Sequence, residues 1–308
     1  MMQRMLLQSG YEVTTAQDGA EAVSQLLNES GPRLVLLDWM MPQLDGPEVC
    51  RQIRSSAGRP YVYITLLTSK ESKEDLVAGL EAGADDYLTK PCNSGELRAR
   101  LRTGERILSL EDSLVTAREA MRFDATHDAL TSLLNRGAIL SSLNLELQRA
   151  QATEAGLSIL LSDVDHFKHI NDTYGHPVGD EVLREIAARL KRCVRRGDRV
   201  GRYGGEEFFL ILADCECKDL RMRAEQIRAV VGSTPVRTTA GPLQISISVG
   251  ALEINAVNRS QAAERLLKDV DEALYRAKKD GRNRISVAEI RESSPIKIVT
   301  ASKLALCS

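Results

Sequence analysis

The chain has 308 residues, and 41 Lys and Arg against 43 Asp and Glu give it a formal net charge of −2 at pH 7. This balance argues against a general nucleic-acid-binding surface, and the length suits two domains that each bury a core. No apolar run approaches the ~20 residues that span a bilayer, and no secretion signal begins the chain, so we expect a cytoplasmic protein with no membrane span.

Residues 1–93 alternate short apolar strands with helical stretches, which predicts an α/β domain with a parallel sheet. Open α/β sheets place their functional residues at the carboxyl ends of their strands. Each of three predicted strands delivers a polar residue there: the strands are 34–37, 61–67 and 85–89, and the residues that follow or end them are Asp38, Thr68 and Lys90.

An Asp, a Thr and a Lys at three strand ends resemble the flavodoxin-like receiver domain of two-component response regulators. The resemblance implies that Asp38 accepts a phosphoryl group from a sensor histidine kinase, that Thr68 senses it and that Lys90 pairs with it. Receivers begin with a strand that ends in magnesium-binding acidic residues, but here a helix is predicted from about Met2. We therefore expect a receiver that lacks its first strand. Either upstream residues are missing or the receiver is degenerate, and a vestigial Asp38 is slightly favoured over an active phosphoacceptor.

Residues 94–123 contain no proline and few strand formers, which predicts a helical linker that continues the last helix of the receiver. Gly104 weakens the prediction of a continuous rod. Apolar residues three or four apart form one narrow stripe: Ile107, Leu110, Leu114, Ala117 and Met121. The stripe suits a helical pair between two copies of the chain, and packing on its own receiver is the alternative.

Two acidic strand ends mark the second half of the chain. The apolar strand 157–162 runs into Asp163, and a second apolar strand follows Glu207. Before it, Gly204-Gly205 predicts a two-residue hairpin turn with φ > 0, preceded by a short strand at 199–203. A turn without side chains lets a triphosphate approach the backbone, and the carboxylates beside it suit the divalent cation of such a ligand. An ordinary hairpin with solvated glutamates is the alternative for this stretch alone.

Helices alternate with these strands, which predicts an α+β domain. The predicted helices are 136–150, 180–195, 220–231 and 262–279, and a further strand is predicted at 243–252.

Residues 124–287 resemble the GGDEF family of diguanylate cyclases. The resemblance rests on motifs that recur in order: His127–Arg136, Asp163–Lys168, Asn171–His176, Gly204-Gly205-Glu206-Glu207-Phe208 and Tyr275–Asn283. It implies the palm-like fold of nucleotidyl cyclases, with condensation of two GTP into cyclic di-GMP and pyrophosphate. A non-catalytic cyclic di-GMP receptor and a signalling adaptor are the alternatives, and the intact signature favours the cyclase.

The resemblance also implies roles for single residues. Asp163, Glu206 and the Val164 carbonyl match ligands of Mg²⁺ or Mn²⁺, and Glu206 or Glu207 would help to deprotonate the attacking hydroxyl. The implied GTP-binding residues are Asn171 and Asp180 for guanine, Lys278 and Arg282 for the phosphates, and Lys168, Arg202 and His176 as weaker candidates. Lys278 and Arg282, four apart near a helix end, are expected to project together.

The segment Arg195-Arg196-Gly197-Asp198 matches the R-x-x-D site of the family, in which Arg195 and Asp198 bind cyclic di-GMP as an inhibitor. A basic loop that closes a helix is the alternative. Because one domain offers one set of guanine and phosphate residues, we expect two GTP molecules to meet in a homodimer. The tail 288–308 carries no family motif, and one short strand is predicted at 296–300.

Overall fold

The computed structural model describes residues 2–28, 30–56, 58–69, 73–215, 217–255, 258 and 261–288, without the side chains at positions 73, 75, 217 and 218. The chain forms two compact units, which divide between Met121 and Arg122. Within the described ranges, no helix is long and apolar enough to cross a membrane.

The first unit contains a parallel sheet in the order β1-β2-β3 with helices around it. Its elements are α1 (Met2–Gln8), α2 (Gly19–Leu26), β1 (Leu34–Asp38), α3 (Gly46–Ser55), β2 (Tyr63–Thr68), α4 (Lys73–Glu81), β3 (Asp86–Thr89) and α5 (Ser94–Thr126), of which residues 122–126 belong to the second unit. The predicted α/β receiver fold is confirmed. In the flavodoxin-like order 2-1-3-4-5, the second strand pairs only with the first. The three strands of this unit correspond to the last three of that order, and residues 11–16, which precede them in the sequence, form no strand.

Helix α5 runs without a break through Gly104, contrary to the doubt that this glycine raised. Gly104 is buried, and a Cβ there would lie 2.5 Å from Leu34 Cδ1 and 2.7 Å from Tyr63 Cδ1. The glycine therefore allows the helix to pack closely on β1 and β2. Further along, Leu110 and Met121 are 63% and 72% exposed, so most of the predicted apolar stripe faces solvent in the single chain.

The second unit is a five-stranded sheet in the order β10-β9-β4-β6-β5, with a separate β7-β8 hairpin. Strand β4 is central and antiparallel to both of its neighbours. The elements are α6 (Arg136–Thr153), β4 (Leu157–Val164), α7 (Phe167–Tyr174), α8 (His176–Cys193), β5 (Arg199–Arg202), β6 (Glu207–Ala213), α9 (Cys217–Gly232), β7 (Val236–Thr238), β8 (Gly241–Leu243), β9 (Ile247–Ile254), α10 (Ala263–Lys279) and β10 (Ile285–Val287).

Both faces of this sheet are buried, which explains the almost continuous apolar sequence of β4 and β6. Leu160 and Phe208 pack with α8 and α9 on one face, whereas Ile159 and Phe209 pack with α6 and α10 on the other. Alternate residues of a strand point to opposite faces, so each strand contributes to two cores. The predicted palm-like α+β domain is confirmed.

The turn between β5 and β6 corrects one prediction. Four residues, 203–206, separate the two strands, and neither Gly204 nor Gly205 has a φ in the left-handed region. Tyr203 N donates to Glu207 O at 2.8 Å, which closes a wider turn than the predicted two-residue hairpin. The predicted positive φ was therefore wrong, because a longer turn reverses the chain without it.

Among the element boundaries, two differ most from the prediction. The strand predicted at 243–252 is divided between β8 and β9, and α8 begins at His176 rather than near Asp180, with Pro177 in its first turn. Proline suits that position because its missing N–H has no partner there in any helix. The strand predicted at 296–300 lies outside the described residues.

Candidate active site

Three carboxylates meet at one edge of the central sheet. Asp163 lies at the end of β4 and is paired in register with Glu207 at the start of β6. Glu206 precedes it in the turn, and its carbonyl accepts a hydrogen bond from Val164 N at 3.2 Å. Because β4 and β6 are antiparallel, the end of one and the start of the other share an edge, and sequence-distant carboxylates come together there.

Lys278 is the internal counter-ion of this group. Its Nζ lies 2.7 Å from Asp163 Oδ2, and the Asp163 side chain is 8% exposed. Burial raises the pKa of Asp163 against the opposing effect of Lys278. Burial, and then the charge of Asp163, also raise the pKa values of Glu206 and Glu207. The positive charges of Lys278, of Arg282 near Asp163 and of Arg136 near Glu207 therefore do not fully offset the burial and mutual repulsion of the three carboxylates.

These residues suit a hard divalent cation. Within the described ranges, no three His, Cys, Asp or Glu side chains are grouped to hold a metal ion, and the predicted set has only two such side chains, Asp163 and Glu206. Mg²⁺ is commonly bound by one or two carboxylates together with substrate phosphates. The raised pKa values reflect poorly solvated carboxylates that repel one another, and a cation at this edge would relieve both effects.

Arg202 makes contacts that sequence reasoning did not foresee. Its Nη1 lies 3.1 Å from Asp128 Oδ1, and its Nη2 donates to Gly205 O at 2.7 Å. Arg202 N also donates to Leu134 O at 2.8 Å. The side chain thus ties the 127–136 segment to the turn at 203–206, the signature turn. These contacts favour a role in holding the turn over the predicted phosphate contact.

The residues expected to bind guanine lie on consecutive helices. Asn171 is on α7 and Asp180 on α8, with Gly175 between the helices. The Asn171 amide oxygen is buried and, in the part of the chain that the structure describes, has no hydrogen-bond partner. A Cβ at Gly179 would lie 2.0 Å from this oxygen, so the glycine makes room for it. An unpaired buried acceptor is costly, and it fits a site that receives N–H donors.

The predicted phosphate-binding residues do not share one helix. Lys278 lies in α10, but the helix ends at Lys279, and Arg282 follows in a left-handed conformation with φ 57°. The helical i, i+4 relationship was therefore wrong, although the charge of Arg282 still lowers the pKa of Asp163. Lys168 and His176 are exposed on α7 and at the start of α8.

Asp198, expected to bind the inhibitor, is buried and already engaged. Its carboxylate accepts Arg195 N at 2.8 Å, Ala213 N at 3.2 Å and Arg223 Nη2 at 3.1 Å. The Arg195 side chain is exposed beside a cavity of about 150 Å³. Sequence reasoning missed Arg223, because nothing in the spacing relates a residue of α9 to Asp198.

The first unit brings its three predicted residues together at the carboxyl edge of its sheet. Asp38, Thr68 and Lys90 end or follow β1, β2 and β3, which are neighbours. Lys90 Nζ contacts Asp38 Oδ2. Thr68 is buried, and its carbonyl accepts Lys90 N at 2.8 Å.

Family models match both halves of the chain. Residues 125–284 match the diguanylate cyclase GGDEF domain, and residues 1–102 match the response regulator receiver domain. Response regulator PleD of Caulobacter vibrioides is 35% identical over 262 residues, which are 84% of this chain and 57% of PleD. Diguanylate cyclase DosC of Escherichia coli is 37% identical over 205 residues, 65% of this chain and 44% of DosC. The chain thus spans less than two thirds of the length of these relatives.

Solved structures give the same result for the second unit. The coiled coil and GGDEF domain of DgcB from Caulobacter crescentus, in complex with c-di-GMP, matches with a TM-score of 0.56 and 31% identity, covering 62% of this chain and 99% of that one. Diguanylate cyclase SiaD of Pseudomonas aeruginosa, in complex with its activator SiaC, matches with a TM-score of 0.52 and 32% identity, covering 63% and 75%.

Proposed function

The chain belongs to the GGDEF family of diguanylate cyclases and carries a response regulator receiver domain, and from this we propose that it condenses two GTP molecules into cyclic di-GMP and two pyrophosphates. The observation that carries the proposal is the meeting of Asp163, Glu206 and Glu207 with Lys278 at one sheet edge. Phosphoryl transfer between nucleotides creates a severe charge problem, which such a site addresses.

In each half-reaction the ribose 3′-oxygen of one GTP attacks the α-phosphorus of the other. A phosphate ester bond forms, the bond from the α-phosphorus to the bridging oxygen breaks, and pyrophosphate leaves with the electron pair. The proton of the hydroxyl passes to a base. Glu206 or Glu207, which lie beside Asp163 at this sheet edge, fills this role.

Asp163, Glu206 and the Val164 carbonyl would hold Mg²⁺ or Mn²⁺, which supplies charge neutralisation at the phosphates and lowers the pKa of the attacking hydroxyl. Lys278, which pairs with Asp163 in this structure, would contact the triphosphate. Arg282, Lys168 and His176 add positive charge or hydrogen-bond donors around the phosphates. Arg202 acts on the signature turn through Asp128 and Gly205 O.

Guanine recognition is assigned to Asn171 and Asp180. The unpaired Asn171 oxygen accepts an N–H of the base, and the carboxylate of Asp180 accepts from the same donor edge. These two residues select guanine over adenine, because adenine presents a different pattern of donors and acceptors.

Two subunits are needed, because each domain holds one set of guanine and phosphate residues. The exposed Leu110, Leu114 and Met121 on α5 support pairing of two helices into a homodimer. In a receiver without its first strand a vestigial Asp38 stays slightly favoured, and the alternative is that a sensor histidine kinase phosphorylates Asp38 and thereby regulates that pairing through Thr68 and Lys90. Cyclic di-GMP bound at Arg195 and Asp198 would inhibit synthesis.

The test is to incubate the purified chain with GTP and Mg²⁺ and to separate the products by chromatography. Formation of cyclic di-GMP by the wild type, and its absence with Asp163→Asn, supports the cyclase. A chain that binds cyclic di-GMP through Arg195 but makes none would instead be a receptor.

A further inference from the structure

The segment that joins α10 to β10 has an unusual backbone. Gly281, Arg282 and Asn283 are all left-handed, with φ of 115°, 57° and 47°. Left-handed residues other than glycine are disfavoured and persist only when surrounding contacts hold them. Arg282, a proposed phosphate contact, therefore depends on whatever fixes this turn.

Asp165 provides the main anchor from outside the turn. Its Oδ2 accepts the backbone N–H of Asn283 at 2.9 Å and Ser246 Oγ at 2.6 Å, and its Oδ1 accepts Ser248 Oγ at 2.6 Å. The residue is 6% exposed. A buried carboxylate is tolerated when hydrogen bonds satisfy it, and these three donors do so.

Other contacts hold the rest of the turn. Arg228 Nη1 donates to Asn283 Oδ1, and Arg282 N donates to Ala277 O at 3.1 Å. After the turn, Arg284 O accepts Val249 N at 2.9 Å, where β10 pairs with β9. The backbone is thus fixed on both sides, while the side chain of Arg282 is exposed.

We propose that Asp165 is a positioning residue that fixes the left-handed turn at 281–283 and thereby places the Arg282 guanidinium for the phosphates of GTP. The inference rests on the proposed function, since it takes Arg282 as a phosphate contact. Asp163 is the second-last residue of β4 and Asp165 directly follows the strand, so one strand end supplies both the proposed cation-binding carboxylate and the anchor of the phosphate-binding turn. This arrangement fixes Asp163 and Arg282 relative to each other.

The variant Asp165→Asn keeps the size of the side chain but replaces one acceptor oxygen by an N–H donor. The amide oxygen still accepts from Asn283 N and Ser246 Oγ, and the new N–H₂ donates to Ser248 Oγ, which turns its hydroxyl to accept. The hydrogen bonds that hold the turn therefore lose the negative charge that strengthens them. We expect the KM for GTP to rise roughly tenfold, which corresponds to one hydrogen bond to a charged group, with a smaller change in kcat. Hydrogen exchange of the backbone amides at 280–286 should become faster.

A double-mutant cycle with Arg282→Ala separates positioning from general destabilisation. If Asp165 acts through Arg282, adding Asp165→Asn to Arg282→Ala should raise KM no further. If the increases in KM caused by Asp165→Asn and Arg282→Ala multiply in the double variant, the proposal is overturned. Ser158→Ala is the control, because Ser158 is buried at the other end of β4 and donates to Cys215 O at 3.0 Å. It should lower thermal stability and leave KM unchanged.

The exchange measurement does not depend on turnover. If the wild type made no cyclic di-GMP, the proposed function would fail, and exchange at 280–286 in Asp165→Asn would still decide whether Asp165 holds the turn. Unchanged exchange in that variant would refute the anchoring role. Faster exchange with an unchanged KM in an active enzyme would refute the link to Arg282.

Discussion

Lys278 Nζ lies 2.7 Å from Asp163 Oδ2, so the most buried of the three carboxylates at this edge is paired with a cation of the protein itself. Glu206 and Glu207 feel the charge of Asp163, and burial together with that charge raises the pKa of each. The arrangement favours a ligand that brings positive charge to the carboxylates and negative charge to Lys278. A triphosphate with its divalent cation has both.

Neutral replacements of Asp163 and Glu206, the proposed cation-binding carboxylates, should abolish synthesis. Asp163→Asn and Glu206→Gln remove charge without removing volume, so we expect losses of at least about 100-fold, in the range seen when one electrostatic group of an active site is removed. Steady-state rates with GTP and Mg²⁺ measure this, with circular dichroism to check the fold. Glu272→Gln, an exposed carboxylate on α10, is the matched control. Full activity in Asp163→Asn would show that Asp163 does not bind the cation.

The inactive variant Glu206→Gln should be more stable to heat than the wild type at pH 7. A carboxyl group whose pKa is raised in the folded state favours folding at low pH, and this stability is lost as the pH rises through the raised pKa. Glu206→Gln has no such loss, so its Tm should exceed that of the wild type at pH 7 and approach it near pH 4. Thermal unfolding across this range tests the prediction. A Tm difference independent of pH would show that the charge of Glu206 is not responsible.

The effects of substituting Arg202 and Asp128 on kcat should be coupled. Asp128→Asn and Arg202→Ala both break the ion pair that ties the 127–136 segment to the signature turn. We expect both variants to lower kcat, and the double variant to be little worse than Arg202→Ala, because residues in one network are not additive. If Arg202 instead bound phosphate directly, Arg202→Ala would raise the KM for GTP and Asp128→Asn would leave it unchanged.

Gly179 should be required for guanine recognition. Alanine there would place a Cβ 2.0 Å from Asn171 Oδ1, so Asn171 would have to move away. Gly179→Ala should reduce the preference for GTP over ATP, measured as the ratio of dissociation constants, while an Asn171→Ala background should show no further reduction. Gly137→Ala, whose nearest neighbour would be 3.5 Å away, is the control. An unchanged ratio in Gly179→Ala would contradict the role of Asn171.

The sequence predicted the features that depend on local pattern. The apolar runs predicted the strands. Because Asp38 and Asp163 come directly after such runs, the sequence also predicted that they lie at strand ends. Glu206 and Glu207 were placed next to Asp163 only through the family resemblance, because the register of β4 on β6 is a property of the packed sheet.

Contacts between distant side chains were not accessible from the sequence. The pairing of Arg223 with Asp198 and the anchoring of Asn283 by Asp165 join residues 25 and 118 positions apart. The conformation of Gly204 and Gly205 was mispredicted for a related reason. A glycine pair permits a positive φ but does not require it, and the length of the turn depends on where the β5–β6 pairing ends.

The ratio of pyrophosphate to cyclic di-GMP formed in one reaction tests most directly whether the chain condenses two GTP molecules. The purified full chain is incubated with GTP and Mg²⁺, and pyrophosphate and cyclic di-GMP are measured in the same sample over time. We predict two pyrophosphates for each cyclic di-GMP, and neither product with Asp163→Asn. Pyrophosphate without cyclic di-GMP, or equal yields from the wild type and Asp163→Asn, would contradict the proposed condensation of two GTP.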